Sequence, residues 1–294
     1  AVLKKYKADV FISYDGIASL AAKLPQCIFI NELTFIHQAS FFKKSILLFY
    51  KTFIPRSIKK SKAIFTVSEF CKTDIIKQYK TNADKIKVVY EGINENFKEI
   101  GYEEKEKVKA KYTEGNEYFI YTGEIGTHKN LLNLLKGFSG FKKRQKSSMQ
   151  LLIAGKQGWQ YEEFFESLRL FKFKDDVKIL KDPALEELVK ITVAAYAMVQ
   201  PSLHESFATQ PLEAMKSGVP VIASSTGALP EILADAALYA DTRNFKEIAV
   251  KMMLLFKDEN LRKEIIEKGK IQAEKFNWDI TSDLIWKNFE KNLL

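Results

Sequence analysis

Short apolar runs alternate with longer amphipathic stretches along almost the whole chain. The runs are four to six residues long and rich in β-branched side chains, which favours buried strands. They predict strands at 8–13, 27–30, 63–67, 86–89, 118–121, 150–153, 177–180, 197–200 and 219–223. Apolar residues at helical spacing predict intervening helices, among them 69–79, 131–143, 161–171, 185–195 and 211–217. Apolar strands that alternate with helices predict an α/β fold with parallel sheets covered on both faces.

A charged segment interrupts this alternation and divides the chain. Residues 94–115 are rich in Lys and Glu, and 294 residues exceed the length of one average domain. We therefore predict a first α/β domain at 1–98, a linker at 99–115 and a second α/β domain at 116–276. The last residues, 277–294, place Trp278, Ile285 and Phe289 at helical spacing. They predict a terminal helix that docks through its apolar side.

Composition sets the class of protein. Hydrophobic residues make up 46% of the chain and charged residues 28%, values of a globular protein rather than a disordered or fibrous one. No apolar run approaches the roughly 20 residues that a membrane-spanning helix needs. Cys27 and Cys71 are the two cysteines. Their spacing matches neither a metal site nor a disulfide framework, and this favours a reducing, cytoplasmic location.

Positive charge is concentrated in one segment. The formal net charge is +9, which favours anionic partners such as nucleic acid, phospholipid or a phosphorylated small molecule. Seven basic residues and no acidic one lie within 41–62: Lys43, Lys44, Lys51, Arg56, Lys59, Lys60 and Lys62. Apolar residues alternate with them, which predicts a basic amphipathic helix pair, broken at Pro55, in peripheral contact with an anionic membrane. The alternative is a solvated helix whose apolar side packs on its own core.

The segment that follows Gln200 predicts a strand, a loop and a helix in direct succession. The strand ends at Gln200, the helix begins with Thr209 as its N-cap, and Pro211 lies in its first turn. Glu205 is thereby placed in the loop at the carboxyl end of the strand, and Glu213 about one turn into the helix.

Such a helix start can bind phosphate. Backbone N–H groups of 206–209 and the helix N-terminus point at an anion. Carboxylates on either side, here Glu205 and Glu213, accept hydrogen bonds strongly from sugar hydroxyls. The alternative is an ordinary βαβ crossover with two solvated glutamates, and strand–loop–helix geometry alone does not decide between the two.

The residues themselves resemble a known family. The run QPSLHESFATQPLEAMKSGVPVIAS at 200–224 resembles the signature of glycosyltransferase family 4, in which two glutamates are separated by seven residues. Glu205 and Glu213 fit that spacing. Further segments resemble the family in the expected order: SEF at 68–70, VVYEGIN at 88–94, YTGEIGTHKN at 121–130 and FNW at 276–278.

The resemblance implies a fold and an activity. The fold is GT-B, with two facing Rossmann-like doubly wound domains, the active site in the cleft between them, and the helix 277–294 packed back on the first domain. The activity is a retaining, metal-independent transfer of a hexose, of mannose type first, from a nucleotide-diphosphate sugar linked to GDP or UDP. The acceptor is a glycan or a lipid-linked saccharide, and no cofactor is implied. The enzyme is expected in the cytoplasm, at the inner face of the membrane.

The resemblance also implies roles for single residues. Glu205 contacts the donor sugar, Glu213 holds the ribose, and Lys129 neutralises the departing diphosphate. The residues expected to bind the nucleotide are Gly123, Glu124, Ser206, Phe207, Ala208, Thr209 and Glu213. The residues expected to act in catalysis are Glu205, Lys129 and Asn31, and no metal ligand is expected. Fixed positive charge at the leaving phosphate lowers the barrier to cleavage of the anomeric C–O bond.

Three positions depart from the family pattern. Glu124 stands where an arginine is common, Asn31-Glu32 replaces a His-Asp pair, and 206–208 reads Ser-Phe-Ala instead of Gly-Phe-Gly. His37 is a further candidate on the acceptor side. The first domain offers about four strands, and the family's first strand and Gly-rich loop have no counterpart before 8–13, so we expect one or more βα units to be absent.

Two other functions compete with this one, and the departures motivate the first of them. One is a non-catalytic protein that binds sugar nucleotides or acts as a scaffold. The other, which rests on the +9 charge alone, is nucleic-acid binding. No recognised nucleic-acid module occurs in the sequence, and no nucleic-acid partner is expected.

Overall fold

Two separate units make up the chain. The computed structural model describes residues 2–158 and 160–293. One unit consists of 1–92 together with 277–294, and the other of 93–276. Each unit is built around a parallel sheet of its own.

The sheet of the first unit has four strands in sequential order. The strands are β1 (Phe11–Ser13), β2 (Gln26–Phe29), β3 (Ala63–Thr66) and β4 (Ile86–Val88), all parallel. The helices that precede or connect them are α1 (Val2–Lys5), α2 (Thr34–His37), α3 (Lys44–Lys60) and α4 (Glu69–Tyr79). Parallel neighbours require crossover connections. Helices supply those from β2 to β3 and from β3 to β4, whereas the segment 14–25 between β1 and β2 contains no helix.

The two central strands of this sheet are buried on both faces. Side chains alternate along β2, so that Ile28 joins one core cluster while Cys27 and Phe29 join another. On the first face, α3 contributes Ile54 and α4 contributes Ile75. Helices therefore cover a strand pair whose sequence is continuously apolar, as the pattern of the sequence predicts.

Both cysteines are free thiols in the interior of this unit. Cys27 is fully buried in β2, and burial raises the pKa of its thiol to about 12. The Cys71 thiol, in the first turn of α4, donates to the backbone oxygen of Asn31 at 3.1 Å. Both sulfur atoms are thus held in packed surroundings.

The predicted break at Pro55 is wrong, because α3 continues through this residue as one helix. Proline removes one intrahelical hydrogen bond and normally kinks a helix. Here Ile54, Ser57 and Ile58 are buried on either side of it, and their packing holds the next turn in place. One 17-residue helix replaces the predicted pair.

The sheet of the second unit has six parallel strands in the order β10-β9-β8-β5-β6-β7. The strands are β5 (Tyr118–Thr122), β6 (Gln150–Gly155), β7 (Val177–Lys181), β8 (Ala197–Gln200), β9 (Val221–Ser224) and β10 (Ala237–Ala240). The helices are α5 (Tyr102–Thr113), α6 (Leu131–Gln145), α7 (Tyr161–Arg169), α8 (Leu185–Val193), α9 (Thr209–Lys216), α10 (Leu229–Leu233), α11 (Phe245–Lys257) and α12 (Glu259–Ala273). The alternation of strands and helices gives a doubly wound sheet.

A large core fills the second unit beneath α6 and α11. Phe119 of β5, Phe138 of α6 and Ile248 of α11 are fully buried in it. The two helices approach closely because Gly137 and Gly140 face α11. A Cβ atom at Gly137 would lie 2.9 Å from the Cβ atom of Ile248. The segment predicted as a linker, 99–115, contains α5, which packs against α8 in this unit.

The terminal helix α13 (Trp278–Leu293) belongs to the first unit. Phe289 is buried and meets Phe65 of β3 edge-on, with ring centroids 5.4 Å apart. The sequence predicts a fully docked apolar side, but Trp278 and Trp286 are 55% and 59% exposed. The helix is anchored by one buried edge rather than by all its aromatic residues.

Candidate active site

The order of strands marks one edge of the second unit as a binding edge. β5 pairs with β6 on one side and with β8 on the other, so the chain winds in opposite directions from this point. In such sheets, ligands bind outside the carboxyl ends of the strands where the winding reverses. Gly123 and Glu124 directly follow β5, and Glu205 lies in the loop after β8. The fold therefore brings candidates separated by some eighty residues to one edge.

Lys129 and Glu205 form an ion pair at this edge. The Lys129 Nζ lies 2.8 Å from the Glu205 Oε1, and their side chains are 19% and 15% exposed. Lys129 ends a single 3₁₀ turn, and Asn130 follows it with a φ of +60°. The Asn130 amide donates to the Pro201 oxygen at 3.0 Å and to the Thr242 oxygen at 2.9 Å. Asn130 thereby fixes the start of α6 to two neighbouring loops, a role that its sequence position alone does not reveal.

A second loop holds the Glu205 backbone in place. The Ala228 N–H donates to the Glu205 oxygen at 2.9 Å, and the Thr226 hydroxyl donates to the Leu203 oxygen at 2.8 Å. Gly227 has a φ of +69°, and a Cβ atom there would lie 2.8 Å from the Glu205 oxygen. Only glycine satisfies both the conformation and the space. The glycine therefore positions Glu205, a function the sequence does not indicate.

The segment 206–208 needs no glycine for its conformation. Among the described residues, neither Ser206 nor Ala208 has a positive φ, and Ala208 has a φ of −133°. Phe207 is buried against Phe276, with ring centroids 5.8 Å apart. The predicted N-cap is wrong by one residue, because Ala208 is the N-cap and Thr209 is the first helical residue. The backbone of this segment leads into α9 without a strained φ angle.

Glu213 lies deeper in the unit than the sequence suggests. It is the fifth residue of α9, and burial raises the pKa of its carboxyl from 4.5 to about 7. Within the described part of the chain no lysine, arginine or histidine lies within ion-pair distance of it. A carboxyl in such surroundings holds its proton near neutral pH and gains from a hydroxyl partner.

Glu124 sits beside the close approach of β5 and β6. A Cβ atom at Gly155 would overlap the Gly123 oxygen. The Glu124 carboxylate lies 3.7 Å from the His128 Nε2 and is 45% exposed. The Tyr121 hydroxyl donates to the Glu124 backbone oxygen at 2.9 Å. Burial, followed by the charges of Glu205 and Glu124, raises the pKa of Tyr121 well above its usual value.

Two polar side chains that the sequence does not single out lie at the carboxyl end of β8. The Gln200 Oε1 and the Ser202 Oγ are buried and have no hydrogen-bond partner among the described residues. Buried polar atoms of this kind are rare and call for a water molecule or a ligand as a partner. They lie immediately before Glu205, so the edge offers neutral polar groups as well as charges.

Asn31 lies in the first unit, just after β2, where it lines a pocket of about 180 Å³. Asp15 and Glu32 line the same pocket, together with the aromatic side chains of Tyr14 and Phe29, whose rings stack 4.5 Å apart. His37 pairs with Asp74 of α4, with a distance of 2.6 Å between the Nε2 and the Oδ2. Carboxylates beside aromatic rings suit a ligand that presents both hydroxyl groups and C–H faces.

The charged groups of the second unit indicate which kind of ligand this edge can bind. Lys129 is paired with Glu205, and Glu205 lies in the loop that leads to the N-terminus of α9, where positive partial charge accumulates. One carboxylate, Glu205, is charge-paired, and one carboxyl, Glu213, is desolvated. These groups can bind an anion that also carries hydroxyl groups, and they can stabilise negative charge that develops on it.

Comparison with known proteins agrees with this chemistry. The sequence profile of the family described as "Glycosyl transferases group 1" matches residues 102–272. O-antigen chain mannosyltransferase B of Escherichia coli is 28% identical over 224 residues, which are 76% of this chain and 59% of the relative. O-antigen chain mannosyltransferase RfbU of Salmonella typhimurium is 30% identical over 207 residues, 70% of this chain and 54% of the relative. The chain thus spans somewhat more than half the length of these two curated relatives.

Solved structures show the same fold. HepE of Anabaena in complex with UDP and glucose superposes with a TM-score of 0.84 at 16% identity, covering 99% of this chain and 80% of that one. WaaG, a glycosyltransferase involved in lipopolysaccharide biosynthesis, gives a TM-score of 0.75 at 15% identity, covering 96% and 80%. Two units with parallel sheets, together with these neighbours, confirm the predicted GT-B fold. Since the family profile matches more than half of the 294 residues, the chain belongs to the group 1 glycosyl transferases.

Proposed function

We propose that the protein transfers a hexose, with mannose as the first candidate, from a nucleotide-diphosphate sugar to a glycan or a lipid-linked acceptor. The observation that carries the proposal is the Lys129–Glu205 pair at the winding reversal of the second sheet. The choice of mannose is supported by two relatives that are both O-antigen chain mannosyltransferases. The proposed donor carries GDP or UDP as its nucleotide.

In this proposal Lys129 serves the leaving group. Cleavage of the anomeric C–O bond leaves negative charge on the diphosphate. The ammonium group and the N-terminus of α9 oppose that charge without a large reorganisation. Lys129 exchanges its carboxylate partner for a phosphate, so that its positive charge is compensated before and after binding. Glycine at 123 and the backbone of 206–209 leave room for the diphosphate.

The two glutamates bind hydroxyl groups. Glu205, released in part from Lys129, accepts hydrogen bonds from the transferred sugar, and Glu213 does the same for the ribose. The pocket around Asn31, with Asp15 and Glu32, provides further hydroxyl partners in the first unit, and we assign it to the acceptor. The roles of Glu205 and Glu213 rest on the resemblance of the motifs, whereas the acceptor pocket rests on the chemistry of its carboxylates alone.

The proposed reaction retains the anomeric configuration and needs no metal. The bond between the anomeric carbon and the phosphate oxygen breaks. A bond to the acceptor oxygen forms on the same face, and the acceptor proton passes to the departing phosphate. Lys129 and the helix N-terminus supply the positive charge that a metal would otherwise supply. Transfer should therefore continue in EDTA. We place the reaction in the cytoplasm, where free thiols such as Cys27 and Cys71 persist.

The first experiment measures the release of nucleoside diphosphate by the purified protein from a panel of GDP- and UDP-linked hexoses. We expect release from at least one donor and its loss in Glu205→Gln. Glu163→Gln is the matched control, since Glu163 is an exposed residue of α7 with no described ion pair. Absence of release from every donor, with or without added saccharide acceptors, would overturn the proposal.

A non-catalytic protein that binds sugar nucleotides remains the alternative. The observation that favours it is Glu124, a carboxylate beside the place proposed for the diphosphate, where like charge is unfavourable. This alternative predicts that a nucleoside diphosphate raises the melting temperature while no donor is turned over. Tight, salt-sensitive binding of nucleic acid with no response to sugar nucleotides would contradict both functions.

A further inference from the structure

The helix α3 has two apolar sides, and only one of them is needed for the fold. Leu47, Tyr50, Ile54 and Ile58 pack on the core of the first unit. They account for the amphipathic pattern in the ordinary way, as a helix that covers a sheet. The rest of the helix surface is not used by the core, and this exposed surface is called here the outer face of α3.

Large apolar side chains occupy this outer face. Ile46, Leu48 and Phe49 are 41%, 68% and 44% exposed. Phe53 follows Phe49 by one turn, and the two rings lie 4.7 Å apart. The spacing of 46, 49 and 53 keeps three of these residues in one stripe along the helix. Exposed apolar groups gathered in a stripe, unlike scattered ones, indicate a contact surface.

Positive charge surrounds the stripe and is not neutralised by the protein. Lys51, Arg56, Lys59 and Lys60 are exposed on the same helix. Among the described residues, none of the seven basic side chains between 41 and 62 has a carboxylate within ion-pair distance. The Lys85 ammonium donates to the backbone oxygens of Ile58 and Lys59 at the carboxyl end of α3. Burial, followed by the charge of Lys62, lowers the pKa of Lys85.

An anionic lipid surface fits these two features together. Long basic side chains reach the headgroups while the apolar stripe enters the interface between headgroups and acyl chains. A nucleic acid would meet the charge, but it would gain little from exposed Leu48 and Ile46. In the part of the chain that the structure describes, no helix has both the length and the apolar character to span a membrane.

We propose that the protein docks on anionic membranes through the outer face of α3. The contact is peripheral, and it combines electrostatic attraction with shallow insertion of the apolar stripe. It does not depend on the proposed transfer reaction, because α3 carries none of the residues assigned to the donor. The side chain of Phe41, at the edge of the segment, lies outside the described side chains.

The test uses sedimentation of the protein with vesicles of phosphatidylcholine, with and without 30 mol% phosphatidylglycerol, about a third of the lipid as anionic headgroups. The charge variant is Lys51→Gln, Arg56→Gln, Lys59→Gln. Its control is Lys143→Gln, Lys257→Gln, Lys263→Gln, three exposed lysines of the second unit with no described ion pair. Each triple lowers the net charge from +9 by three, to +6.

The expected partition coefficient falls about 100-fold in the charge variant and by less than about threefold in the control, from roughly fivefold for each basic residue at the surface. A second pair tests insertion at constant charge. Ile46→Ser, a change within the stripe, should weaken binding severalfold, whereas Leu170→Ser, 89% exposed in the second unit, should not. Circular dichroism of each variant checks that the fold is kept.

Three results would overturn the proposal. The first is equal binding to neutral and anionic vesicles, or none to either. The second is equal loss in the two charge triples, which would show attraction by net charge alone. The third is tight nucleic-acid binding that depends on the same three residues, together with no binding to vesicles. Donor turnover is measured in parallel without vesicles, so that failure of docking and failure of the proposed reaction remain distinguishable.

Discussion

Glu213 is a largely buried carboxyl whose ionised form is disfavoured by desolvation. Its pKa in the folded protein is about 7, raised by burial from 4.5. The pKa of such a carboxyl is higher in the folded than in the unfolded protein. It favours the fold most at pH values below its unfolded pKa, where it is protonated in both states. That contribution is lost as the pH rises from 4.5 through 7. Ionised Glu213 therefore destabilises the ligand-free protein at alkaline pH.

Replacement by a neutral isostere should reveal this cost. Glu213→Gln is expected to raise the free energy of unfolding at pH 8 by up to about 3 kcal/mol relative to the native protein, with little difference at pH 4. The measurement is urea denaturation of both proteins across this range. Glu163→Gln, an exposed residue of α7, serves as control. A gain of equal size at both pH values would contradict the desolvation of Glu213.

Lys129 should matter for the rate more than for binding. Because its charge opposes negative charge that grows as the anomeric bond breaks, Lys129→Gln should lower kcat by about 10²- to 10³-fold. KM should change far less. Lys136→Gln, an exposed residue further along α6, should leave both constants unaltered. A rise in KM at constant kcat would assign Lys129 to ground-state binding instead.

At the scale of residues, the sequence predicted which residues form the candidate site better than it predicted their contacts. Glu205 and Glu213 were found from their spacing. Their environments were not, because one is paired with a lysine 76 positions away and the other is desolvated by packing. The role of Gly227 was missed for the same reason. Its need appears only when the Glu205 backbone approaches from another loop.

The contact of α6 with α11 depends on the absence of side chains. A Cβ atom at Gly137 would lie 2.9 Å from the Ile248 Cβ and 3.2 Å from the Phe245 oxygen. Alanine favours helices by about 1 kcal/mol over glycine, but overpacking of a core costs about 1–3 kcal/mol. We expect Gly137→Ala to destabilise the protein by about 1 kcal/mol net, measured by chemical denaturation.

Gly101 provides the comparison for this prediction. It is the N-cap of α5 with a φ of −67°, and a Cβ atom there would meet nothing within 4 Å. Gly101→Ala replaces a favourable N-cap residue, but it also lowers the conformational entropy of the unfolded chain. These effects oppose each other, so stability should change by only a few tenths of a kcal/mol. If Gly137→Ala were as mild as Gly101→Ala, the close approach of the two helices would not be a tight one.

At the scale of elements, the strongly apolar strands were predictable and the weaker ones were not. β8 and β9 were found because their residues are buried and mostly β-branched or long. β10 was missed because it is a short Ala-Leu-Tyr-Ala segment, half-buried at the edge of the sheet. The charged segment of helical propensity that predicts a linker forms α5, which packs on α8.

Ligand binding should protect one unit of the molecule selectively. With GDP or UDP at 100 times its dissociation constant, the stabilisation by mass action is about 2.7 kcal/mol. Amide hydrogen exchange should slow within 123–130 and 203–213, where the chain forms the binding edge of the second sheet. Mass spectrometry of peptic fragments measures this, with adenosine monophosphate as the control ligand.

Another distribution of protection would contradict the site. Protection confined to the pocket around Asn31 would move nucleotide binding to the first unit. Protection spread evenly over both units would indicate general stabilisation without a localised contact.

At the scale of the whole molecule, the fold class followed from the sequence, but the geometry of the site did not. Continuous apolar strands between helices require parallel sheets. The pattern does not encode which strands are neighbours. The order β10-β9-β8-β5-β6-β7 comes from tertiary packing, and it is this order that brings Glu124 and Lys129 to the same edge as Glu205.

The two buried thiols have a practical consequence. Cys27 and Cys71 are packed in the interior, so thiol reagents should react slowly with the native chain. These two cysteines should therefore contribute little background reaction when a single introduced cysteine is labelled. A probe sensitive to polarity at Ile46→Cys, where the native side chain is 41% exposed in the stripe of α3, would report insertion into a bilayer as a spectral shift. No other cysteine would have to be removed first.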